Sequence, residues 1–379
     1  MIAANAVATE PESEPASSSY WADVVAGLSV ASILLPEAVA YSSIANLSVQ
    51  HAITAVLIGL VGYALLGASR FAIVAPTSSA AALTAAAVIS LGSVSAAVDR
   101  SAFAFALVLL TGAGLLLMGL VKVGRLSAFV SSPVLHGFSF ALAFTIIIKQ
   151  LPIVLGVKVG GDPLHVRLGL WQALPRWSLT SALAGLIALT ALLLLKRWSR
   201  LPSAFLVLAA AVAVAYCIPL ADYGIATVGA ITLSVPTPAL PELTLDQWLR
   251  TAEFAGGLMV IVFAESWGSI RSLALRRGDS LVSNRELMAL GATNLASGAF
   301  QGMAVGAGFS ASSANEAAGA QSKSAGLAAA GAVLMLAVFG THLIELTPEP
   351  VLAAAVISAL LHALNPKPLL ALWRLRTYP

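Results

Sequence analysis

Charged side chains are scarce in this sequence: Asp, Glu, Lys and Arg make up 10% of its 379 residues, where an ordinary soluble domain carries about 25%. A globule surrounded by water cannot cover itself at that density, so the soluble classes are excluded. Cysteine is nearly absent. The single Cys217 excludes an internal disulfide and a thiolate metal cluster, and its apolar neighbours mark it as a small buried hydrophobe. No phosphate loop, nucleophile elbow or zinc-ligand spacing occurs, which argues against an ATP-driven pump and against an enzyme. The formal charge of +3 is scattered between apolar runs without forming a basic face, so nucleic acid is excluded as a partner. His136, beside Pro133 and Gly137, has no second His or Cys at ligand spacing; it reads as a packing residue, and neither a metal nor any cofactor is called for.

What the chain has in abundance is apolar surface: 59% hydrophobic residues and a mean hydropathy of +0.93. A bilayer-spanning helix needs about 20 such residues. Apolar stretches bounded by charge, Pro or Gly fall near 22–45, 52–67, 77–92, 101–121, 128–151, 178–195, 201–218, 251–268, 284–301, 312–322, 324–343 and 347–364. The chain is therefore expected to be an all-α, multi-pass membrane protein. The stretches at 77–92 and 312–322 are too short to cross about 30 Å of hydrocarbon as straight helices and read as broken elements. Residues 1–20, with Glu10, Glu12 and Glu14 and no Lys or Arg, lack the positive start of a secretory signal and read as a disordered cytoplasmic tail. With that tail inside, fourteen of the 20 Lys and Arg residues fall in inner loops, Arg70, Lys196, Arg276 and Arg277 among them, as cytoplasmic loops require. The expected location is the cytoplasmic (inner) membrane, N-terminus cytoplasmic. Trp171, Trp177 and Trp248 suit its interface.

Chemistry is concentrated in three signals. Glu37 stands mid-span in Leu34-Leu35-Pro36-Glu37-Ala38-Val39-Ala40-Tyr41; an acid beside a Pro that removes a backbone donor suits an ion or proton site in a wet cavity. Glu265, in Phe263-Ala264-Glu265-Ser266, is placed toward the inner end of its span, facing a cavity or reaching for the headgroups. A carboxyl group withdrawn from water favours its neutral form, so proton coupling is chemically available. The third signal is a pair of similar segments, Gly67 to Ser79 and Gly306 to Asn315. Each runs from an extended stretch through hydroxyls into an Ala-rich helix. Pro76, Thr77, Ser78 and Ser79 are expected in a first helical turn, where backbone N–H groups lack partners and anions bind. Paired interruptions at matching places point to a transporter site at the membrane midplane. Asn284 to Glu286, with Asn294, read as capping residues of the ninth span, and Glu316 and Lys323 as sharing a helical face.

These residues together make the chain resemble the SulP family of anion permeases, over about residues 21–376. The resemblance is carried by Asp23-Val24-Val25-Ala26-Gly27-Leu28, by the Pro36-Glu37 motif, Gly67-Ala68-Ser69-Arg70, Phe263-Ala264-Glu265-Ser266, Asn284-Arg285-Glu286-Leu287 with Gly291 and Asn294, and Gly308-Phe309-Ser310 with Asn315 and Gly319. It implies fourteen segments in two inverted repeats of seven, with core and gate domains. The first repeat is expected at about 21–218 and a partial second at about 251–376, with the last two segments and the cytoplasmic STAS domain outside this chain. It further implies an anion site between the third and tenth segments, drawing on Glu37, Tyr41, Pro76, Thr77, Ser78, Ser79, Phe309, Ser310, Ala311, Ser312 and Ser313, with Glu37 and Glu265 as proton-coupling groups. One departure stands out: many relatives place an Arg after the Phe-Ser of the tenth segment, and here that residue is Ala311.

The expected function is secondary active transport of a sulfate-, bicarbonate- or dicarboxylate-class anion, coupled to a proton. Membrane lipids are the further partner, with a homodimer as an assembly open to the chain. The alternatives are a nucleobase–proton symporter of the same fold, using Glu265 and Glu316, and an anion channel.

Overall fold

The computed structural model describes residues 20–92, 100–124, 132–157, 169, 172–197, 203–229 and 237–364. Residues 1–19 of the expected tail, Trp171, residues 365–376 of the second repeat and the side chain of His136 lie outside the described residues. Helices dominate. The first series comprises α1 (Tyr20–Ala45), α2 (Val49–Leu66), β1 (Val74–Pro76), α3 (Ser78–Gly92) and α4 (Arg100–Leu120). Then come α5 (Ser132–Val154), α6 (Leu179–Leu195) and α7 (Ser203–Cys217). The second series is α8 (Leu245–Arg277), α9 (Ser283–Ala299), β2 (Val305–Ala307), α10 (Phe309–Ala317) and α11 (Ser324–Phe339), closed by α12 (Thr341–Glu345) and α13 (Glu349–Leu360). The order helix, helix, strand, helix, helix thus occurs twice. Among the described residues four helices, α1, α2, α4 and α8, are long and apolar enough to cross a membrane.

Local sequence explains the less obvious boundaries. α8 runs well past the apolar stretch that marks it, because polar signals set its ends. Thr244 and Gln247 form a reciprocal capping box at its start, and Gly278 leaves it in the left-handed conformation (φ 73°) after Arg276 and Arg277. Pro36 leaves the Ser32 carbonyl of α1 without its usual donor, yet the helix continues through it. Three expectations are corrected here. Cys217, the last residue of α7, is exposed rather than buried. Pro76 lies in β1 rather than in the first turn of a helix. Glu316 and Lys323 do not share a helix, because α10 stops at Ala317 and Lys323 caps α11.

The two series interlock into one core body. α4 crosses α9 backbone to backbone: a Cβ added at Gly112 would lie 2.4 Å from Leu295 N, and one at Gly291 2.4 Å from Leu116 N. Small residues permit such approach, which supplies the packing that drives helix association where there is no water to expel. α1 meets α11 in the same way, with Gly27 against Ala325, Ala328 and Ala329. Beside this crossing the buried Asp23 accepts from the N–H groups of Gln321 (2.7 Å) and Ser322 (3.1 Å), tying the start of α1 to the start of α11. A second body, α5, α6, α7 and α13, packs mainly on itself and leans on the core through α1 and α3. This division is the core and gate arrangement expected of the fold.

Candidate functional site

At the centre of the core, β1 and β2 pair antiparallel, with Val74 opposite Ala307, Ala75 opposite Gly306 and Pro76 opposite Val305. A two-stranded ribbon buried in a membrane protein must satisfy its outer edges. On β2 this falls to side chains from neighbouring helices. Asn294 of α9 accepts from Val305 N–H (2.9 Å) and donates to the Val305 carbonyl (2.8 Å), while Ser266 of α8 accepts from Ala307 N–H (2.9 Å). Asn294 therefore holds the strand instead of capping α9. Glu286, read as a helix-opening acid, is fully buried and accepts from the Tyr63 hydroxyl (2.6 Å) and Ala68 N–H (3.0 Å), fixing the loop that leads into β1.

The antiparallel pairing brings the starts of α3 and α10 together: a Cβ on Gly308 would stand 3.9 Å from the Thr77 methyl. Two helix N-termini, each with N–H groups that the helix leaves unbonded, converge on one spot. Thr77 and Ser79 line it, their hydroxyls 3.1 Å apart and both buried. Glu265 reaches into it from α8: its Oε2 accepts from Thr77 Oγ1 (3.2 Å) and from the Ser79 hydroxyl. Glu265 thus faces the site and does not reach for the headgroups. A carboxylate here sits on the two hydroxyls as an anion would.

Glu37 approaches from α1. It is 8% exposed, and its Oε1 is buried without a hydrogen-bond partner among the described residues. Glu37, Tyr41 and Glu265 are close enough to interact electrostatically, and Tyr41 meets the Ser78 hydroxyl. Lys196, at the end of α6 in the gate, interacts electrostatically with Glu37 and donates to the Ser358 carbonyl of α13 (2.6 Å). Glu37 therefore looks across the seam between the two bodies. In sequence Lys196 is one of several basic residues of an inner loop, and nothing local marks it as a partner of Glu37.

The tenth-segment residues divide. Phe309 opens α10 at 40% exposure, Ser310 is half-buried beside it, and Ala311 is buried. Ser312 turns to the other strand, its hydroxyl accepting from Ile73 N–H (3.0 Å), and Asn315 donates to the Phe71 carbonyl (3.1 Å). The Ser313 hydroxyl has no partner among the described residues. At one end of the core, a lip formed where α8 ends beside α10, Arg70 and Asp279 pair at 2.5 Å, and Glu316 accepts from Arg277 Nε at 2.8 Å with Arg276 at 3.4 Å. Among the described residues no group of three His, Cys, Asp or Glu could hold a metal ion.

The model of the Sulfate permease family matches residues 20–378. A probable sulfate transporter of Mycobacterium tuberculosis is 31% identical over 348 residues, covering 90% of this chain and 61% of that protein. The sodium-independent sulfate anion transporter of Bos taurus is 27% identical, covering 93% and 63%. The chain thus spans about three fifths of the length of these relatives. Among solved structures, the murine Solute Carrier 26 family member A9 anion transporter in the inward-facing state superposes with a TM-score of 0.85 at 22% identity, covering 93% of this chain and 62% of that one. The transmembrane domain of the cyanobacterial bicarbonate transporter BicA superposes at 0.83 with 22% identity, covering 91% and 89%.

Proposed function

The chain belongs to the sulfate permease family, and on that premise we propose that it is a secondary active transporter carrying a small anion of the sulfate, bicarbonate or dicarboxylate class across the cytoplasmic membrane together with a proton. One observation carries this reading: the Glu265 carboxyl group seated on the hydroxyls at the start of α3. Helix starts and hydroxyls that converge in this way attract an anion. An ionised Glu265 already supplies one from within. Two unit charges about 4 Å apart repel by roughly 4 kcal/mol at the effective dielectric of about 20 that suits protein sites. A proton on Glu265 removes that repulsion and turns the carboxyl group into a donor, so anion and proton load together.

Glu37, with an unpartnered oxygen at the seam between core and gate, is the second member of the proton path. Relative motion of core against gate then carries the loaded site from one face to the other. The excess of Lys and Arg in predicted inner loops supports a cytoplasmic N-terminus, and the names of relatives that carry sulfate or bicarbonate support the cargo class.

The test is uptake of labelled sulfate, bicarbonate and fumarate into proteoliposomes, with and without an inward proton gradient. Gradient-stimulated uptake of one of them is expected. Flux that follows membrane potential and ignores the gradient would replace the symporter by a channel, and inhibition by uracil but by none of the anions would move the assignment to nucleobase transport.

A further inference from the structure

Three arginines gather at one end of the core around two phenylalanines. Arg70 and Arg277 lie over the buried Phe71, at 5.2 and 5.6 Å from its centroid, and Arg276 lies 5.8 Å over Phe309. Two carboxylates answer them. Asp279 pairs with Arg70, and Glu316 is held at 2.8 Å by Arg277, leaving Arg276 the longer 3.4 Å contact to the same group. The three arginines therefore outnumber their carboxylate partners by one, and Lys323, on the Gly67 carbonyl beside them, adds to the positive charge. Arg276 is the arginine with the weaker counter-charge, and its side chain is half exposed. Phe309, on which it rests, is the first residue of α10 and is itself 40% exposed. The guanidinium thus lies alongside α10, between the ring of its first residue and the carboxylate of Glu316 near its last.

We propose that Arg276 is the recruiting residue of the anion site: it draws the small anion to the lip and hands it to the α3 and α10 helix starts. The inference rests on the transport reading above and adds a specificity-determining side chain to it. A cation held over an aromatic face keeps its donor edge directed outward. Unbalanced positive charge at a rim raises the local concentration of counter-ions. At the α3 start the hydroxyls meet an acid, and Lys196 faces Glu37 from the gate side, so Arg276 supplies its positive charge from the opposite, rim side of the site.

The experiment uses the full chain in neutral phosphatidylcholine vesicles, comparing wild type, R276Q, R276K and E316Q for the anion that the wild type takes up. At low ionic strength R276Q is expected to raise the apparent KM about 3- to 10-fold with the maximal rate little changed, a conservative share of what electrostatic focusing gives. R276K should retain most of the wild-type behaviour. E316Q, which removes the competing counter-charge, should lower KM or leave it unchanged. The R276Q difference should shrink as ionic strength rises and the screening length falls to a few ångströms.

Equal damage by R276Q and E316Q would make the pair a structural clasp and overturn the inference, as would an unchanged KM in R276Q. A defect that appears only when anionic lipid is added would assign the guanidinium to the headgroups, with the same result. Wild-type vesicles that accumulate none of the three anions overturn the transport reading itself, whereas wild-type uptake with an indifferent R276Q overturns this inference alone.

Discussion

The decisive perturbation is Glu265→Gln. Glutamine keeps a carbonyl oxygen for the Thr77 and Ser79 hydroxyls to donate to, so the geometry of the α3 start should survive. Hydrogen bonds to a charged group stabilise by about 1.5–3 kcal/mol and neutral ones by about 0.5–1.5, which puts the folding penalty for the two bonds at about 2–3 kcal/mol. Coupling should vanish, because glutamine cannot release or bind the transported proton. A pH difference of two units is worth about 2.7 kcal/mol per proton. One coupled proton can therefore hold the anion about 100-fold concentrated inside the vesicle, while an uncoupled variant equilibrates near unity. The assay is steady-state accumulation in proteoliposomes with the membrane potential clamped at zero, alongside anion-for-anion exchange at symmetric pH. Exchange should persist in E265Q and concentrative uptake should not. Gradient-driven accumulation by E265Q at the wild-type level would refute the argument that anion and proton share the α3 start.

Three further outcomes follow from the same geometry. Glu37→Gln should weaken the stimulation of uptake by an inward proton gradient with little change in apparent anion affinity, since the Glu37 Oε1 has no hydrogen-bond partner among the described residues, the helix-start hydroxyls included; undiminished stimulation would remove it from the proton path. Gly291→Ala adds a methyl 2.4 Å from a backbone atom of α4, which cannot swing aside, and overpacking of this kind costs about 1–3 kcal/mol; a thermal unfolding midpoint equal to wild type would contradict the close crossing. Asn294→Ala orphans both the N–H and the carbonyl of Val305, at about 1–3 kcal/mol for each buried group, and should cost more stability in the same measurement than Gly291→Ala.

The membrane spans were legible because apolar runs bounded by charge have few alternatives in a bilayer. α8 shows the limit of that signal. Asp246, Arg250, Glu253 and Arg271 lie inside the helix and lower its apparent hydropathy at both ends, although its capping box at Thr244 was there to be read. The paired interruptions were legible too, since Pro76, Gly306 and Gly308 break helices locally. Which strand residue meets which was not. Ser312 meets Ile73 across 239 positions and Glu286 meets Tyr63 across 223, and no local propensity encodes such pairings. Glu286 misled because an acid in a first helical turn has an adequate local explanation in the helix dipole, which hid its longer-range one.

The polar residues around the ribbon have two different duties, and one pair of substitutions separates them. Ser266 and Ser79 are both buried serines within the same few turns of structure. Ser266 completes the ribbon by accepting from Ala307 N–H, whereas Ser79 points its hydroxyl at Glu265. Ser266→Ala should therefore leave a buried N–H unsatisfied and lower thermal stability by about 1–3 kcal/mol, while the folded fraction keeps its anion KM. Ser79→Ala leaves no backbone group orphaned and removes a donor that the anion and Glu265 share, so it should raise KM and alter the proton dependence with little loss of stability. If the two variants exchange these phenotypes, the β2 edge is the binding surface and the start of α3 is scaffold. The side chains of Asn294, Ser266 and Ser312 take up donors and acceptors of the strand segments, and Thr77 takes only the Ala80 N–H of the α3 start, so selectivity for an anion follows from the donors that the scaffold leaves unbonded beside Glu265.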